Sequence, residues 1–421
     1  MQNSLLYIIC KLTPILLTTD LAAEGGDYCM DSSSTLKYVS YAKSGFAVEV
    51  MQNFSIHKVY VEKDCQYLAY TRQILSRLPN AEVSVVPDIR AFLNLHPPDP
   101  DALDQGKRTL LLMNNRGRFF KPCPGTQKHL CCLYKVLHHA AGCTLDCSYC
   151  ILQIYLNNPF IVYYVNVDDM LAELRRVFEN TRKQIMRVGT GEFTDSLALE
   201  HITGTTHLLT PLLRDFPDVF LEVKTKTTNI DPIIGAEPRR QIIFAWSMNP
   251  DILIHSEEKG AALLDDRLRA AAKAQSLGYP VSFHFDPMLH FPGCEDAYLE
   301  VAEKLASAVD IERAFWISIG SFRFPPALKN VIEERFPENR LIYGEFIIGD
   351  DGKMRYFKPV RLEMYKKLVS RLKELAPRAF IYFCMEREDV WDEVFGFHPK
   401  NNRELKKMLD ERCIKGREER P

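Results

Sequence analysis

From His57 onward the chain falls into short apolar runs and longer amphipathic stretches. "HKVYVEK" and "AEVSVVPD" are strand-like, and "CQYLAYTRQILSRL" between them has helical spacing, which predicts a βαβ unit. The Pro- and Asp-rich "LNLHPPDPDALDQGKR" then reads as a linker. Beyond Cys150 strands and helices alternate with little interruption. The strands are "KQIMRVGT", "VFLEVKTK", "QIIFAWSMN", "PVSFHFDPM" and "AFWISIGSF", compact runs of the kind buried on both faces of a parallel sheet. Helical patterns lie around them, in "VDDMLAELRRVFENT", "ALEHITGTTHLLTPLLRDF", "DDRLRAAAKAQSLG", "EDAYLEVAEKLASA" and "PPALKNVIEERF". With "CCLYKVLHH" as a first strand there are six β/α units, too few to close an eight-stranded barrel. The expected organisation is an undetermined extension over 1–54, a small α/β domain over 55–105, an open partial barrel over 106–340, and a hairpin with helices over 341–421.

Polar residues gather where the strands end: Thr190 and Glu192, Lys226, Ser247 and Asn249, His284 and Asp286, Ser321 and Arg323. The C-terminal ends of strands form the active face of β/α barrels, so these are candidate site residues. Any one of them taken alone reads as a strand-end cap.

Composition narrows the class. Of 421 residues, 46% are hydrophobic and 26% charged, with a net charge of -2, as in a soluble globular protein that does not hold nucleic acid by bulk charge. A local basic groove stays open. Twelve cysteines in a chain this long read as intracellular thiols and metal ligands. The N-terminal "MQNSLLYIICKLTPILLTTDLAAEGG" is broken by Lys11 and Pro14 and lacks a basic start, so it reads as neither a membrane span nor a good signal peptide. The expectation is a cytoplasmic protein with no membrane partner.

The densest chemistry is "GCTLDCSYC", with Cys143, Cys147 and Cys150 at C-x3-C-x2-C spacing. Structural zinc wants four ligands, for which Cys131 or Cys132 would be the fourth. A redox pair of Cys147 and Cys150 leaves Cys143 unexplained. A [4Fe–4S] cluster held by three thiolates leaves one iron open, able to take the amino and carboxylate groups of S-adenosylmethionine (SAM). Just upstream, Cys123, Cys131 and Cys132 in "KPCPGTQKHLCC" read as structural thiols, or as ligands of an auxiliary cluster or zinc.

This spacing, with Tyr149 just before the last cysteine, resembles the signature of the radical SAM superfamily. Within it, "CTLDCSYCILQIYLNNPFIVYYVNVDD", "GEFTDSLAL", "VKTKTTNID", "SMNP" and "IEERFPENRL" resemble the spore photoproduct lyase family, a likeness running from about residue 55 to 400. The resemblance implies a partial (β/α)6 TIM-type barrel with a small N-terminal α/β domain and a C-terminal β-hairpin. It implies a lyase that cleaves SAM reductively to a 5′-deoxyadenosyl radical and repairs a UV-induced thymine dimer in DNA. It also implies an external one-electron donor of flavodoxin or ferredoxin type. Carried over residue by residue, Cys143, Cys147 and Cys150 match the cluster ligands. Tyr149, Thr194, Asp195, Lys226 and Ser247 match positions around SAM.

Two positions depart from the pattern. The family's hydrogen-donor cysteine aligns with Glu192, which cannot give up a hydrogen atom as a thiol does, and the tyrosine after the third cluster cysteine is Ile151. Cys294 and Cys384 follow later strands as other possible donors, a buried inert thiol being the plainer reading of each. "RLIYGEFIIGDDGKMRYFKPVR" reads as a hairpin turning at Asp351–Gly352, with Arg355, Tyr356 and Lys358 suited to single-stranded or damaged DNA. A solvated hairpin with inward aromatics is the alternative. The expected function is thus a lyase-like radical SAM enzyme acting on DNA thymine lesions or a related nucleic acid. Its alternatives are a radical SAM enzyme modifying a peptide or small molecule, and a non-catalytic iron–sulfur or zinc protein.

Overall fold

Runs of Val, Ile and Phe too short for helices become strands whose two faces are both covered. In the computed structural model, which describes residues 55–126 and 128–418, seven of them lie side by side. They are β1 (Lys135–Leu137), β2 (Met186–Gly189), β3 (Val219–Thr225), β4 (Ile242–Ser247), β5 (Val281–Met288), β6 (Ile317–Ser321) and β7 (Ile381–Phe383). Each pairs in parallel with the next in chain order. Phe120–Pro122 adds an antiparallel strand beside β1. The result is the curled, open partial barrel that six β/α units predict, extended by β7. That strand is only three residues long and follows the helix Lys358–Leu375, so its pattern alone did not mark a seventh unit.

Packing follows the strand sequences. Phe220, Phe244, Trp246, Phe283, Phe285, Ile317 and Ile319 are fully buried, each contributing about 1.5–3 kcal/mol through burial. Around them Val167–Asn180 buries Met170, Leu174 and Phe178, one face of a helix. The stretch expected as one helix over 198–216 is two, Glu200–Thr203 and Thr205–Asp215. Gly204, at φ 63°, takes the left-handed conformation that ends the first and starts the second.

The small sheet has the order Glu82–Val86, Lys58–Glu62, Thr109–Met113, Ile161–Tyr164, Ala140–Ala141, with only the last strand antiparallel. The described residues all belong to one unit, Glu49–Pro421, and the extension read over 1–54 lies outside them. No helix among the described residues is long and apolar enough to cross a membrane.

Two features position the site. The Leu130 N–H donates to the Glu386 carbonyl at 3.0 Å, joining the segment before β1 to the segment after β7 and so linking the two ends of the open sheet. The hairpin pairs Phe346–Ile348 with Met354–Tyr356, and Arg323–Phe324 pairs with the outer side of that second arm.

Candidate functional site

The three-cysteine loop is fixed at both ends. Glu258–Lys259 pairs antiparallel with Asp146–Cys147, setting Cys147 opposite Glu258. The Ser148 N–H donates to the Glu257 carbonyl at 2.8 Å, and Asn339 donates to Ser148 Oγ and Glu257 Oε2 at 3.0 and 2.6 Å. Asp146 is paired with Arg335 at 3.0 Å and Lys107 at 3.4 Å.

Glu258 is the hub. Its buried carboxylate receives hydrogen bonds from Tyr149 Oη, from Arg267 and, at 2.8 Å, from Asn249, while Lys226 Nζ stands 3.9 Å away. Burial by itself would raise its pKa, but Arg267 and Lys226 outweigh burial and hold it at about 2. The same contacts orient Tyr149, whose ring has Lys226 Nζ 5.7 Å from its centroid.

The strand ends supply the opposite side. Asp195 accepts from the N–H groups of Leu197 and Ala198 at 2.9 Å each, and from Thr225 Oγ1 and the Lys226 N–H at 2.8 Å each. It therefore binds the "GEFTD" turn to the end of β3. The turn can lie so close because residue 191 is glycine: a Cβ there would sit 2.9 Å from that of Lys224.

These parts enclose a cavity of about 360 Å³. Its lining includes Cys143, Cys147, Cys150, Tyr149, Glu192, Thr194, Asp195, Lys226 and Ser247, so these residues singled out from the sequence face one space. Its floor joins His284, Asp286 and Arg323, read from the sequence as strand-end residues, to Glu222 and Trp316, which sequence reasoning passed over. Glu222 accepts from Trp316 Nε1 at 3.0 Å and lies 2.9 Å from His284 Nε2, while Arg323 pairs with Asp286 at 3.0 Å. Lys224 joins them: burial pushes its pKa down, but Glu192, Glu222 and Asp286 more than reverse this, and the net shift is upward. The signal for this floor was present in the alternate inward positions of β3, β5 and β6.

Four of the expected residues stand apart from the cavity or are engaged within the protein. Cys294 is not part of the cavity lining; it is fully buried at the start of the helix Cys294–Ala308, beside His290 and Glu295. Arg355 is buried in an ion pair with Asp351 at 2.8 Å, and Tyr356 is fully buried with its Oη accepting from the His290 N–H at 3.0 Å. Lys358 is taken up by Asp389 and Glu393 at 2.5 and 2.7 Å. For Arg355 and Tyr356 the cause is the arm's central place between two other strands, whereas Lys358 lies past the arm at the start of the helix Lys358–Leu375. The hairpin instead exposes Ile347, Ile348 and, just past its second arm, Phe357.

The cysteine triplet suits a cluster better than a single ion. Among the described residues, the one group of three or more His, Cys, Asp or Glu whose ligand atoms all lie within 4.8 Å is His290, Cys294 and Glu295. Cys143, Cys147 and Cys150 line the cavity together from one short loop, where the thiolates of an iron–sulfur cluster are held. Burial pushes the Cys143 thiol up to about 12, so metal binding must displace its proton.

Comparison with known proteins fits this geometry. The family profile described as spore photoproduct lyase matches residues 126–383. The spore photoproduct lyase of Bacillus subtilis (strain 168) is 29% identical over 223 residues, 52% of this chain and 63% of that protein. The spore photoproduct lyase of Geobacillus sp. (strain Y412MC61) is 30% identical over 221 residues, with the same coverage. The chain thus spans less than two thirds of the length of these relatives. A solved spore photoproduct lyase complexed with dinucleoside spore photoproduct superimposes with a TM-score of 0.69 at 23% identity, over 78% of this chain and 99% of that one. A mutant of that enzyme with bound AdoMet and dinucleoside spore photoproduct matches equally well. At this identity the superposition establishes the fold.

Proposed function

Because the chain belongs to the spore photoproduct lyase family, we propose that it is a radical SAM enzyme whose substrate is a thymine lesion in DNA or a closely related nucleic acid. The observation that carries this reading is the convergence of Cys143, Cys147 and Cys150 with Tyr149, Lys226 and Ser247 on one cavity at the ends of β3 and β4. Cys143, Cys147 and Cys150 would hold a [4Fe–4S] cluster with its fourth iron open. With SAM bound there, the cofactor pair supplies a carbon radical able to remove a hydrogen atom from the substrate.

The chain's own residues bind, orient and exclude water. Lys226, held against Glu258, presents a cation to a carboxylate, and Ser247 offers a hydroxyl from the end of β4. Tyr149 and Phe322, edge to face at 6.0 Å, form an apolar wall that keeps water from a reactive intermediate. Thr194 and Asp195 are held by the "GEFTD" turn. Glu192 supplies no hydrogen atom, so the reaction differs from the lyase's at its quenching step. The lyase complexed with dinucleoside spore photoproduct supports a lesion substrate, and a one-electron donor of flavodoxin or ferredoxin type fits the need for reduction.

A second reading, a radical SAM enzyme acting on a small molecule, draws on one observation: Arg355, Tyr356 and Lys358 are occupied within the protein. One experiment separates these. Protein reconstituted anaerobically with iron and sulfide is reduced in the presence of SAM, with and without dinucleotide spore photoproduct. Release of 5′-deoxyadenosine together with loss of the photoproduct is expected. Release of 5′-deoxyadenosine with the photoproduct intact would transfer support to the small-molecule reading, and absence of 5′-deoxyadenosine would remove both.

A further inference from the structure

Outside the cavity, the loop that leaves β5 brings three ligating side chains together. It reads "LHFPGCED", residues 289–296. A ring nitrogen of His290, Sγ of Cys294 and a carboxylate oxygen of Glu295 all lie within 4.8 Å of one another, and none of the three residues lines the cavity. The fold builds this approach. The Cys294 N–H donates to the Phe291 carbonyl at 3.0 Å and closes a turn, in which Gly293 at φ 80° takes the left-handed conformation. The backbone is also fixed from two sides: the Leu289 N–H donates to Tyr298 Oη at 2.8 Å, and the His290 N–H to Tyr356 Oη at 3.0 Å. Both tyrosines are fully buried, Tyr298 in the helix Cys294–Ala308 and Tyr356 in the second arm of the hairpin. The His290 ring stands edge-on to that of Tyr356 at 5.8 Å. Ligands positioned before the ion arrives lose little freedom on binding it.

The donor set selects the ion. Imidazole, thiolate and carboxylate are the nitrogen, sulfur and oxygen ligands of zinc, and three protein ligands leave a tetrahedral ion one position for water. Donor atoms around one such ion stand about 3.3–3.8 Å apart at bond lengths of about 2.0–2.3 Å, so small side-chain movements bring these three to it. Magnesium and calcium take oxygen ligands and would leave Cys294 idle. Charge fits as well. A thiolate and a carboxylate cancel the double charge of the ion, so it adds no net charge to a site that is largely enclosed. Both anionic ligands open a helix, where free N–H groups and the helix dipole favour negative charge. Cys294 is fully buried while His290 and Glu295 are half-buried, which leaves the ion a way in from solvent past them.

We propose that His290, Cys294 and Glu295 bind a single zinc ion, with water as its fourth ligand, tying the loop after β5 to the start of the helix Cys294–Ala308. The site is separate from Cys143, Cys147 and Cys150 and does not depend on the enzyme's substrate. On binding, the Cys294 thiol gives its proton to solvent, and nothing is oxidised or reduced.

The test compares zinc binding with and without these side chains. Full-length protein is reconstituted anaerobically with iron and sulfide, freed of loose metal by gel filtration, and titrated with zinc against a chromophoric chelator. Every other thiol is common to wild type and variants, so the difference between them reports this site alone. Wild type should bind one more zinc than Cys294→Ser. That substitution should weaken the ion about a hundredfold or more, since even a change outside the ligand shell costs about 10–100-fold. Glu295→Gln, a near-isosteric change at a half-buried position, should weaken it at least about tenfold. Cobalt in place of zinc should show a thiolate charge-transfer band in wild type that Cys294→Ser lacks. Zinc should also raise the melting temperature of wild type and leave that of Cys294→Ser unmoved. If Cys294→Ser fails to fold by circular dichroism, Glu295→Gln and His290→Gln decide the matter. Equal zinc stoichiometry and affinity in wild type and the folded variants would overturn the proposal, as would cobalt spectra that do not differ. Neither result bears on 5′-deoxyadenosine release, so failure here is distinct from failure of the proposed enzyme activity.

Discussion

Glu200 begins the short helix Glu200–Thr203 almost wholly enclosed. One carboxylate oxygen accepts from the Thr206 N–H at 2.8 Å and the other is buried without a partner. Burial raises its pKa to about 7, against about 4.3 in an unfolded chain. A raised folded value means that this group's contribution to stability is complete below about pH 4.3 and is lost as pH rises through about 7. Glu200→Gln should therefore change stability little at pH 5 and raise it by about 2–4 kcal/mol at pH 8, read from urea midpoints at the two pH values. A larger gain at pH 5 than at pH 8 would contradict the assignment. Glu192 and Ile151 are informative at this scale in another way. Both line the cavity, at positions where the resemblance expects the family's radical-quenching groups. That expectation rests on residue identity alone and so could be drawn from the sequence.

Elements were legible in proportion to their regularity. The strands from Met186 to Ser321 and the helix Val167–Asn180 follow from apolar runs and a four-residue repeat. The two-residue strand Glu258–Lys259, which pins the cysteine loop, carries no periodic signal; only the tertiary pairing with Asp146–Cys147 creates it. The late strand read at Cys384 is β7, but only its pairing with β6 brings that thiol to the cavity. The hairpin was legible in its turn but not in its facing, because the third strand, Arg323–Phe324, comes from a distant part of the chain. Its exposed apolar residues now carry the expectation for DNA. The double substitution Ile347→Glu, Ile348→Glu should weaken binding of lesion-containing single strands about tenfold, or ~1.4 kcal/mol, in fluorescence anisotropy. SAM cleavage without DNA should be unchanged. Equal affinity for both proteins would assign the hairpin no part in substrate binding.

Across the whole molecule the charges nearly balance at -2, and the basic residues near the hairpin are paired internally. Among the described residues, these paired groups leave less positive charge to displace counterions. Binding of single-stranded DNA should accordingly depend only weakly on salt, with a log–log slope near -2, corresponding to about three phosphate contacts. A slope beyond about -5 would reveal a basic surface that the ion pairs do not leave available. The link between the two ends of the open sheet has a consequence for biosynthesis. Leu130 and Glu386 are about 250 positions apart, and Cys384 lies just before the second of them. While the chain emerges from the ribosome, the loop bearing Cys143, Cys147 and Cys150 is made long before the strand that walls its cavity. An iron–sulfur group delivered early would meet oxygen and bulk solvent directly. Maturation should therefore await release of the finished polypeptide, making this a protein loaded after translation rather than during it.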